Sequence, residues 1–368
     1  MRFVHYYKRA MVGDGGPTRA VWGWAGALSD AGHEVVILHD GGASSSPLAH
    51  PGVEAREIAH EGKCWMHRRA SIFGHIRDGD ILILHSGYVG SNLVAANGAT
   101  RRDIPYLVVP HGAYEPSIRR RRRLLRRVWE VFEREMLANA LAVHVFFDTE
   151  VENVREFAKY SRCIVAPIGM DIPPESWCGG GGYFAWLGRY DIEHKGLDIL
   201  FQALALLGEM ERPRIVLHGR DHKQTRAQVE DLARVYGLSS TIDVLGPISG
   251  SEKIEFLRRA DGYVHPSRWE SFGIALLENV ALGVPCLVSN VAHAAGPLQA
   301  AGAAIAVRPT PEEFARGLRA LAGVGSEMSH SARDFVAERL SWSVIARSYV
   351  EQIESIRGPR SAVGPNDA

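Results

Sequence analysis

The chain has 368 residues, 46% of them hydrophobic and 23% charged, with 38 glycines, a length and balance that call for two α/β domains rather than one core. Its 42 basic and 42 acidic side chains cancel to a formal net charge of +0, which excludes a global field for nucleic acid. The four cysteines, Cys64, Cys163, Cys178 and Cys286, lack C-x-x-C spacing, so a disulfide framework and a zinc site are both disfavoured and a reducing cytoplasm is expected.

Phe3 to Tyr7 reads as a buried strand, Gly13-Asp14-Gly15-Gly16 as the loop after it, Thr18 to Asp30 as a helix and Val35 to His39 as the next strand, a βαβ unit. No apolar signal region opens the sequence and no later run reaches the length that crosses a bilayer. The loop is not G-x-G-x-x-G, because Thr18 stands three after Gly15, so the dinucleotide fingerprint is missing. Gly15 and Gly16 either bring backbone N–H groups close to a phosphate or make an ordinary tight turn. Asp78-Gly79-Asp80 spells D-x-D, but it precedes a strand instead of following one and reads as a turn. Strands at Ile81 to His85 and Tyr106 to Pro110 end in loops that open at the carboxyl edge of a parallel sheet, where ligands bind. These loops begin with His85 and His111, and a lone histidine after a strand is more often structural than catalytic.

A long helix is expected from Ile118 to Ala140. Leu124, Val128 and Phe132, with Leu125 and Trp129, form its packing stripe. Arg119 to Arg123, Arg126 and Arg127 form a basic face, either solvated or held against anionic lipid or a phosphorylated acceptor. A strand at Ala142 to Phe147, a helix from Thr149 to Tyr160 and a strand at Cys163 to Pro167 close the first domain. Ile168 to Pro174 is a linker, extended by a flexible run at Gly179 to Gly182.

The second domain opens with the strand Tyr183 to Leu187. Arg189 and Lys195 bracket the loop after it, a guanidinium and an ammonium at a helix entrance, suited to a diphosphate. Strands at Ile215 to His218, Ile242 to Leu245, Asp261 to Val264, Cys286 to Ser289 and Ala304 to Val307 continue the alternation with helices. Within the stretch Pro266 to Pro285, Ile274, Leu276, Leu277, Val280 and Leu282 read as a helix capped by Ser271 and stopped by Gly283 and Pro285. Glu270 then lies just outside a helix N-terminus, where unpartnered N–H groups at Phe272 and Gly273 favour an anion, and Glu278 lies deeper on the same helix. Two carboxylates so spaced can touch different parts of one elongated ligand. A helix from Pro311 to Ala322 and two helical segments within Ser331 to Ile356, broken near Ser341, end the ordered chain.

Glu270-Ser271-Phe272-Gly273 followed by Glu278, with Gly188-Arg189 and Lys195-Gly196 before it, resembles the E-x7-E signature of retaining glycosyltransferases of group 1, or family 4. The resemblance implies an α/β chain of GT-B type, with two Rossmann-like β/α/β domains facing each other across a cleft. It implies an acceptor-side domain over 1–170, a donor-binding domain over 171–340, a terminal helix over 341–357 crossing back to the first domain, and a disordered tail over 358–368. Arg189 and Lys195 would neutralise the diphosphate of a nucleoside-diphosphate sugar. Glu270 with the backbone at Ser271, Phe272 and Gly273 would address the sugar, Glu278 the ribose, Gly15 and Gly16 the diphosphate side, and His111 in its Pro-His-Gly setting the reaction centre. No metal or other cofactor is implied; the sugar nucleotide is a co-substrate. Acceptor contacts, including Lys63 to Arg69 and His85 to Asn92, leave a sugar, a lipid-linked or a small-molecule acceptor open. Location would be cytoplasmic, with peripheral contact to the inner membrane face through Arg119 to Arg127 as the alternative to a solvated face. Ser271 and Asn279 depart from the Gly and Ala frequent in the family. A nucleotide-sugar epimerase or hydrolase and a catalytically silent sugar-nucleotide-binding subunit are the rival readings.

Overall fold

The computed structural model describes residues 1–9, 11, 16–41, 48–58, 71–119, 125–221 and 224–358. The chain divides into two compact units, Met1–Gly169 together with Trp342–Ala368, and Met170–Ser341.

In the first unit β1 (Arg2–Tyr7), α1 (Gly16–Asp30), β2 (Glu34–His39) and β3 (Val53–Glu57) are followed by β4 (Ile81–His85), α2 (Gly90–Thr100) and β5 (Tyr106–Val109). Then come α3 (Pro116–Arg119), α4 (Leu125–Asn139), β6 (Ala142–Val145), α5 (Asp148–Phe157) and β7 (Cys163–Val165). The strands form one parallel sheet in the order β3-β2-β1-β4-β5-β6-β7. The central strands are buried along their whole length, which is why they read as continuous apolar runs rather than alternating ones. Strand order reverses between β1 and β4, so the carboxyl ends of those two strands make the ligand-binding crevice of such a sheet.

Two elements escape a periodicity reading. β3 is an edge strand of sequence Val-Glu-Ala-Arg-Glu with only Val53 buried, and α2 is made of small residues buried nearly all round, so neither has a contrast between faces. α4 corrects the expected stripe: Val128, Val131 and Phe132 are 68%, 60% and 51% exposed, whereas Glu133, Met136 and Leu137 are buried. Asp80 is buried and accepts from Arg2 Nη1 at 2.5 Å and from the Arg77 N–H at 2.7 Å; the D-x-D is the turn that its position before β4 indicated.

The second unit runs β8 (Phe184–Arg189), α6 (Ile192–Lys195), α7 (Leu197–Leu206), β9 (Ile215–Arg220), α8 (Thr225–Val235), β10 (Ile242–Leu245), α9 (Gly250–Arg259) and β11 (Gly262–His265). It continues through α10 (Ile274–Leu282), β12 (Cys286–Ser289), α11 (Ala295–Ala300), β13 (Ile305–Val307), α12 (Pro311–Ala322) and α13 (Ser326–Arg339). Its parallel sheet has the order β10-β9-β8-β11-β12-β13 and reverses between β8 and β11. The run Gly179 to Gly182 is not a free linker. The N–H groups of Cys178 and Gly181 donate to Arg258 O and Arg259 O, and that of Gly180 to Asp261 Oδ1 at 2.7 Å. Residues 173–177 are held as well: Arg333 donates to Pro173 O and Glu175 O, and Trp177 Nε1 to Ala260 O. Positive φ at Gly179, Gly180 and Gly182 lets the backbone turn tightly enough to make these bonds.

The last helix, α14 (Trp342–Arg357), packs on α1 and β7 of the first unit. Its Trp342 ring lies 5.7 Å edge-on from Trp24, so close to Gly23 and Gly169 that a Cβ at either would overlap the indole.

Candidate active site

The carboxyl end of β8 is Arg189, and the chain turns there into α6, a single helical turn whose N-cap Asp191 accepts from the His194 N–H. Gly196, with φ 63°, closes α6 and opens α7. Only glycine fits: the backbone is left-handed and an added Cβ would overlap the Pro266 carbonyl oxygen. This close approach carries Lys195 to the loop after β11. There Lys195 Nζ donates to Glu270 Oε2 at 2.5 Å, with side chains 15% and 14% exposed.

Glu270 is held from a second side by His265, whose Nε2 lies 3.3 Å from the same carboxylate oxygen. A carboxylate only accepts, so His265 carries its hydrogen on Nε2; its Nδ1 lies 3.4 Å from the Tyr263 hydroxyl, which is also 3.4 Å from Leu187 O. Burial pushes the Glu270 carboxyl up, but the Lys195 charge and the His265 and Lys195 hydrogen bonds outweigh it and hold the group far below the usual carboxylate range. Burial keeps His265 neutral by lowering its pKa against the pull of Glu270.

Two residues that a sequence reading passes over clamp this loop. Arg268 grips Asp198 with both guanidinium nitrogens, at 2.7 and 2.6 Å, and its Nη1 reaches Glu193 O at 3.0 Å. Trp269 stacks on His194 with ring centroids 4.5 Å apart and planes 2° from parallel, while His194 Nε2 donates to the Trp269 carbonyl. Burial, then the neighbouring Lys195 charge, pushes His194 down to about 4, so it is the neutral ring that stacks. The signal lay in the motif itself, Arg268-Trp269 directly before Glu270, two side chains too large to be passive in a loop.

The helix after Glu270 starts later than its sequence suggests. α10 begins at Ile274 with Gly273 as N-cap, in a left-handed conformation at φ 75°, and no side chain caps it. Ser271 is therefore not the cap. The first helical bond runs from the Leu277 N–H to Gly273 O, so the N–H groups of the first turn, 274–276, form the open positive end. Phe272 is buried at 4% exposure and anchors the turn. Gly273 faces Glu270, where an added Cβ would stand 3.2 Å from its Cγ. The helix ends as its sequence indicated, at Gly283 with φ 80° and bonds from its N–H to Asn279 O and Val280 O.

Glu278, one helical turn in, pairs with Lys253 of α9 at 2.8 Å. Arg189 meets Asp191 at 3.2 Å and is about half exposed. The second unit thus brings Lys195 and Glu270 into direct contact, with Gly273 against Glu270, and gives Arg189 and Glu278 separate partners. In the first unit Gly16 is the first residue of α1, whereas Gly15, like Lys63 to Arg69 and Arg120 to Arg123, lies outside the described residues. His111 follows β5 with φ 50°, and its Nε2 is 3.0 Å from His85 Nδ1. No helix of the described residues is long and apolar enough to cross a membrane.

Residues 179–331 match the family of group 1 glycosyl transferases, and residues 15–169 match the glycosyl transferase 4-like domain. The solved sucrose-phosphate synthase of Thermosynechococcus elongatus superposes with a TM-score of 0.76 at 18% identity, over 97% of this chain and 99% of that one. The chain belongs to the group 1, family 4 glycosyltransferases and has their GT-B fold.

Among sequence relatives, an uncharacterized glycosyltransferase of Methanocaldococcus jannaschii is 31% identical over 160 residues, 42% of this chain and 40% of its own. The GDP-mannose:cellobiosyl-diphosphopolyprenol alpha-mannosyltransferase of Komagataeibacter xylinus is 26% identical over 46% of this chain and 44% of its own. The phosphatidyl-myo-inositol mannosyltransferase of Propionibacterium freudenreichii is 26% identical over 75% of this chain and 74% of its own. The chain spans less than half the length of the first two of these relatives.

Proposed function

We propose that the protein moves a sugar from a nucleoside-diphosphate sugar to an acceptor hydroxyl with retention of configuration. The observation that carries this reading is the Lys195–Glu270 pair beside the open N-terminus of α10, at the point where the strand order of the second sheet reverses. When the glycosyl bond breaks, negative charge grows on the leaving diphosphate. Lys195, Arg189 and the first-turn N–H groups meet that charge and stabilise the transition state more than the ground state. Glu270, ionised because Lys195 and His265 hold it so, supports the positive charge that develops on the sugar. Glu278 is assigned to the ribose, Ser271 and Phe272 to the sugar through their backbone, Gly15 and Gly16 to the loop beside the diphosphate, and His111 to the reacting end. Charge is neutralised by side chains, so a divalent ion is not part of the scheme.

The donor to test first is GDP-mannose, since the Komagataeibacter relative is named for it. Thermal shifts are measured with GDP, GDP-mannose, UDP and UDP-glucose, with and without EDTA. One sugar nucleotide stabilises the protein regardless of EDTA; loss of that shift on chelation would return attention to metal-dependent chemistry. Lys195→Ala weakens the nucleoside diphosphate itself, whereas Glu270→Ala spares it and weakens the intact donor, and equal effects on both ligands would undo this division of roles.

The exposed Val128, Val131 and Phe132 of α4, following the basic run, favour a lipid-linked acceptor presented at a membrane surface in preference to a free sugar. Cosedimentation with vesicles containing anionic phospholipid, lost in a Val131→Glu and Phe132→Glu variant, tests that assignment.

A further inference from the structure

Three histidines from three segments far apart in sequence form a continuous chain in the first unit. His5 lies within β1, His85 ends β4 and His111 follows β5. His5 Nδ1 is 2.9 Å from His85 Nε2, and His85 Nδ1 is 3.0 Å from His111 Nε2. His5 and His85 are buried, with ring centroids 5.2 Å apart and planes 15° from parallel, and His111 is half-buried. The chain is held rigidly: Asn92 Nδ2 donates to both His85 O and Ser86 O, the Ser86 N–H donates to Val109 O, and Ser86 and His111 both sit at positive φ, 73° and 50°. Left-handed backbone at non-glycine residues persists where the surroundings impose it and gathers at functional sites. A purely structural histidine pair needs neither the third ring nor that strain.

Burial lowers the pKa of all three rings, with neighbouring histidines adding to the effect at each and Arg9 adding at His111, so each carries one hydrogen. A neutral imidazole donates from one nitrogen and accepts at the other. The chain therefore has two self-consistent polarities. In one, His5 Nδ1–H donates to His85, His85 Nδ1–H donates to His111, and His111 presents Nδ1–H outward. In the other every bond is reversed and His111 presents a bare Nδ1. The inner end decides. His5 Nε2 is buried with no hydrogen-bond partner among the described residues; the first polarity leaves a lone pair there and the second leaves an N–H. An orphaned buried donor is the rarer arrangement in proteins.

We infer that His5 and His85 are positioning residues that lock neutral His111 into its Nδ1–H tautomer, so that it offers a hydrogen-bond donor to an oxygen of the bound substrate. The inference rests on the assignment of His111 to the reacting end. The ligand group it selects is an acceptor oxygen, of a sugar hydroxyl or a phosphate, and a hydroxyl in need of a base is not served.

The test is long-range proton–nitrogen correlation on the full chain labelled with 15N-histidine, with each ring assigned by substitution. His5, His85 and His111 are all found protonated on Nδ1. His144 serves as the internal control, because its Nε2 faces the Ala166 carbonyl at 2.7 Å and must carry the hydrogen there. His85→Phe removes the donor to His111 and shifts its ring toward the Nε2–H tautomer. His85→Gln, whose amide can donate in place of the ring, restores Nδ1–H, and it serves as the informative variant if phenylalanine prevents folding. With GDP-mannose or UDP-glucose, whichever is turned over, His85→Phe lowers kcat about 10-fold at nearly constant KM, the value of one hydrogen bond, and His85→Gln recovers most of it. His111 observed as Nε2–H in the unaltered protein would overturn the inference, as would an unchanged His111 signal or an unchanged kcat in His85→Phe. Full turnover by His111→Ala would instead remove the assignment of His111 on which the inference stands.

Discussion

The two units solve the same structural problem with opposite materials. Each has a parallel sheet whose strand order reverses once, between β1 and β4 in one and between β8 and β11 in the other, and each places polar groups at that edge. In the second unit the groups are charged and paired, Lys195 with Glu270 and Lys253 with Glu278. In the first they are neutral rings, His5, His85 and His111, joined nitrogen to nitrogen. Ion pairs at partly shielded positions stay charged and can exchange partners with an incoming anion. Neutral rings in a dry interior orient a single hydrogen without drawing a counter-ion. The difference fits a protein in which one unit handles charge separation and the other handles direction.

The largest break in this comparison comes from removing charge on the second unit. Glu270→Gln leaves the volume but deletes the partner of Lys195 and the group proposed to meet the developing positive charge. Turnover of the sugar nucleotide falls on the order of 100-fold, measured as release of nucleoside diphosphate. A fall of less than tenfold would mean that Glu270 only holds Lys195 in place. The freed lysine binds GDP no less tightly than before, and titration calorimetry checks this second outcome.

Gly196→Ala breaks the geometry that makes the pair. The new methyl group meets the Pro266 carbonyl oxygen on a left-handed backbone, and strain and overpacking together cost about 3 kcal/mol. Melting temperature drops while Gly237→Ala, with positive φ but open space around it, costs about 1 to 2 kcal/mol. Equal losses at the two positions would show that backbone strain alone matters.

Gly196 also marks how far a sequence reading reaches. Lys195-Gly196, Glu270, Gly283 and most strands are legible because each is local: a turn, a cap or an apolar run. The sequence points to Ser271 as the start of α10, whereas Gly273 caps it through its backbone conformation, which leaves no side-chain signature. Against what residue polarity indicates, the apolar stripe of α4 faces outward because a buried glutamate, Glu133, occupies the inner face. It accepts from the Tyr88 N–H, and burial raises its carboxyl to about 7. The histidine chain was invisible for a simpler reason: its members are separated by 80 and 26 residues, and His5 reads only as part of a buried strand.

Acid sharpens the comparison with a smaller effect. Burial pushes His5 and His111 down to about 3 and His144 to about 4 from an ordinary 6.5. These rings are neutral when folded and protonated when unfolded, so below about 6.5 the unfolded chain binds more protons and stability is lost as pH falls. Glu133 opposes this between about 7 and 4.5, since its raised pKa makes the folded form the better proton binder there. Glu270 in the second unit has a lowered pKa, so its contribution is intact above the ordinary carboxylate value of 4.5 and fades only below it. His194 and His265 are the lowered histidines beside it, fewer than the first unit carries. Amide exchange in β1, β4, β5 and β6 accelerates between pH 6.5 and 5 before it does in β8 and β11. Simultaneous acceleration in both sheets would erase the contrast between neutral and charged edges.

The smallest expected effect tests whether the charged edge depends on its clamp. Arg268 holds Asp198 with two parallel bonds while its third contact, to Glu193 O, ties the loop to α6. Arg268→Lys keeps the charge but offers a single point of attachment in place of a planar fork. Both side chains are about one-third exposed, so solvent screens much of the pair, and the stability change is below about 1 kcal/mol. Geometry should suffer more than stability. The loop from Pro266 to Glu270 loses its lateral restraint, the Lys195–Glu270 contact loosens, and kcat falls about 3-fold to 10-fold, equivalent to roughly 1 kcal/mol of transition-state stabilisation. Asp198→Asn, which retains one acceptor oxygen for Arg268, gives an intermediate value. A melting-temperature loss that tracks the kcat loss across the two variants would make the clamp a fold element; a kcat loss at constant melting temperature makes it a positioning device for Glu270.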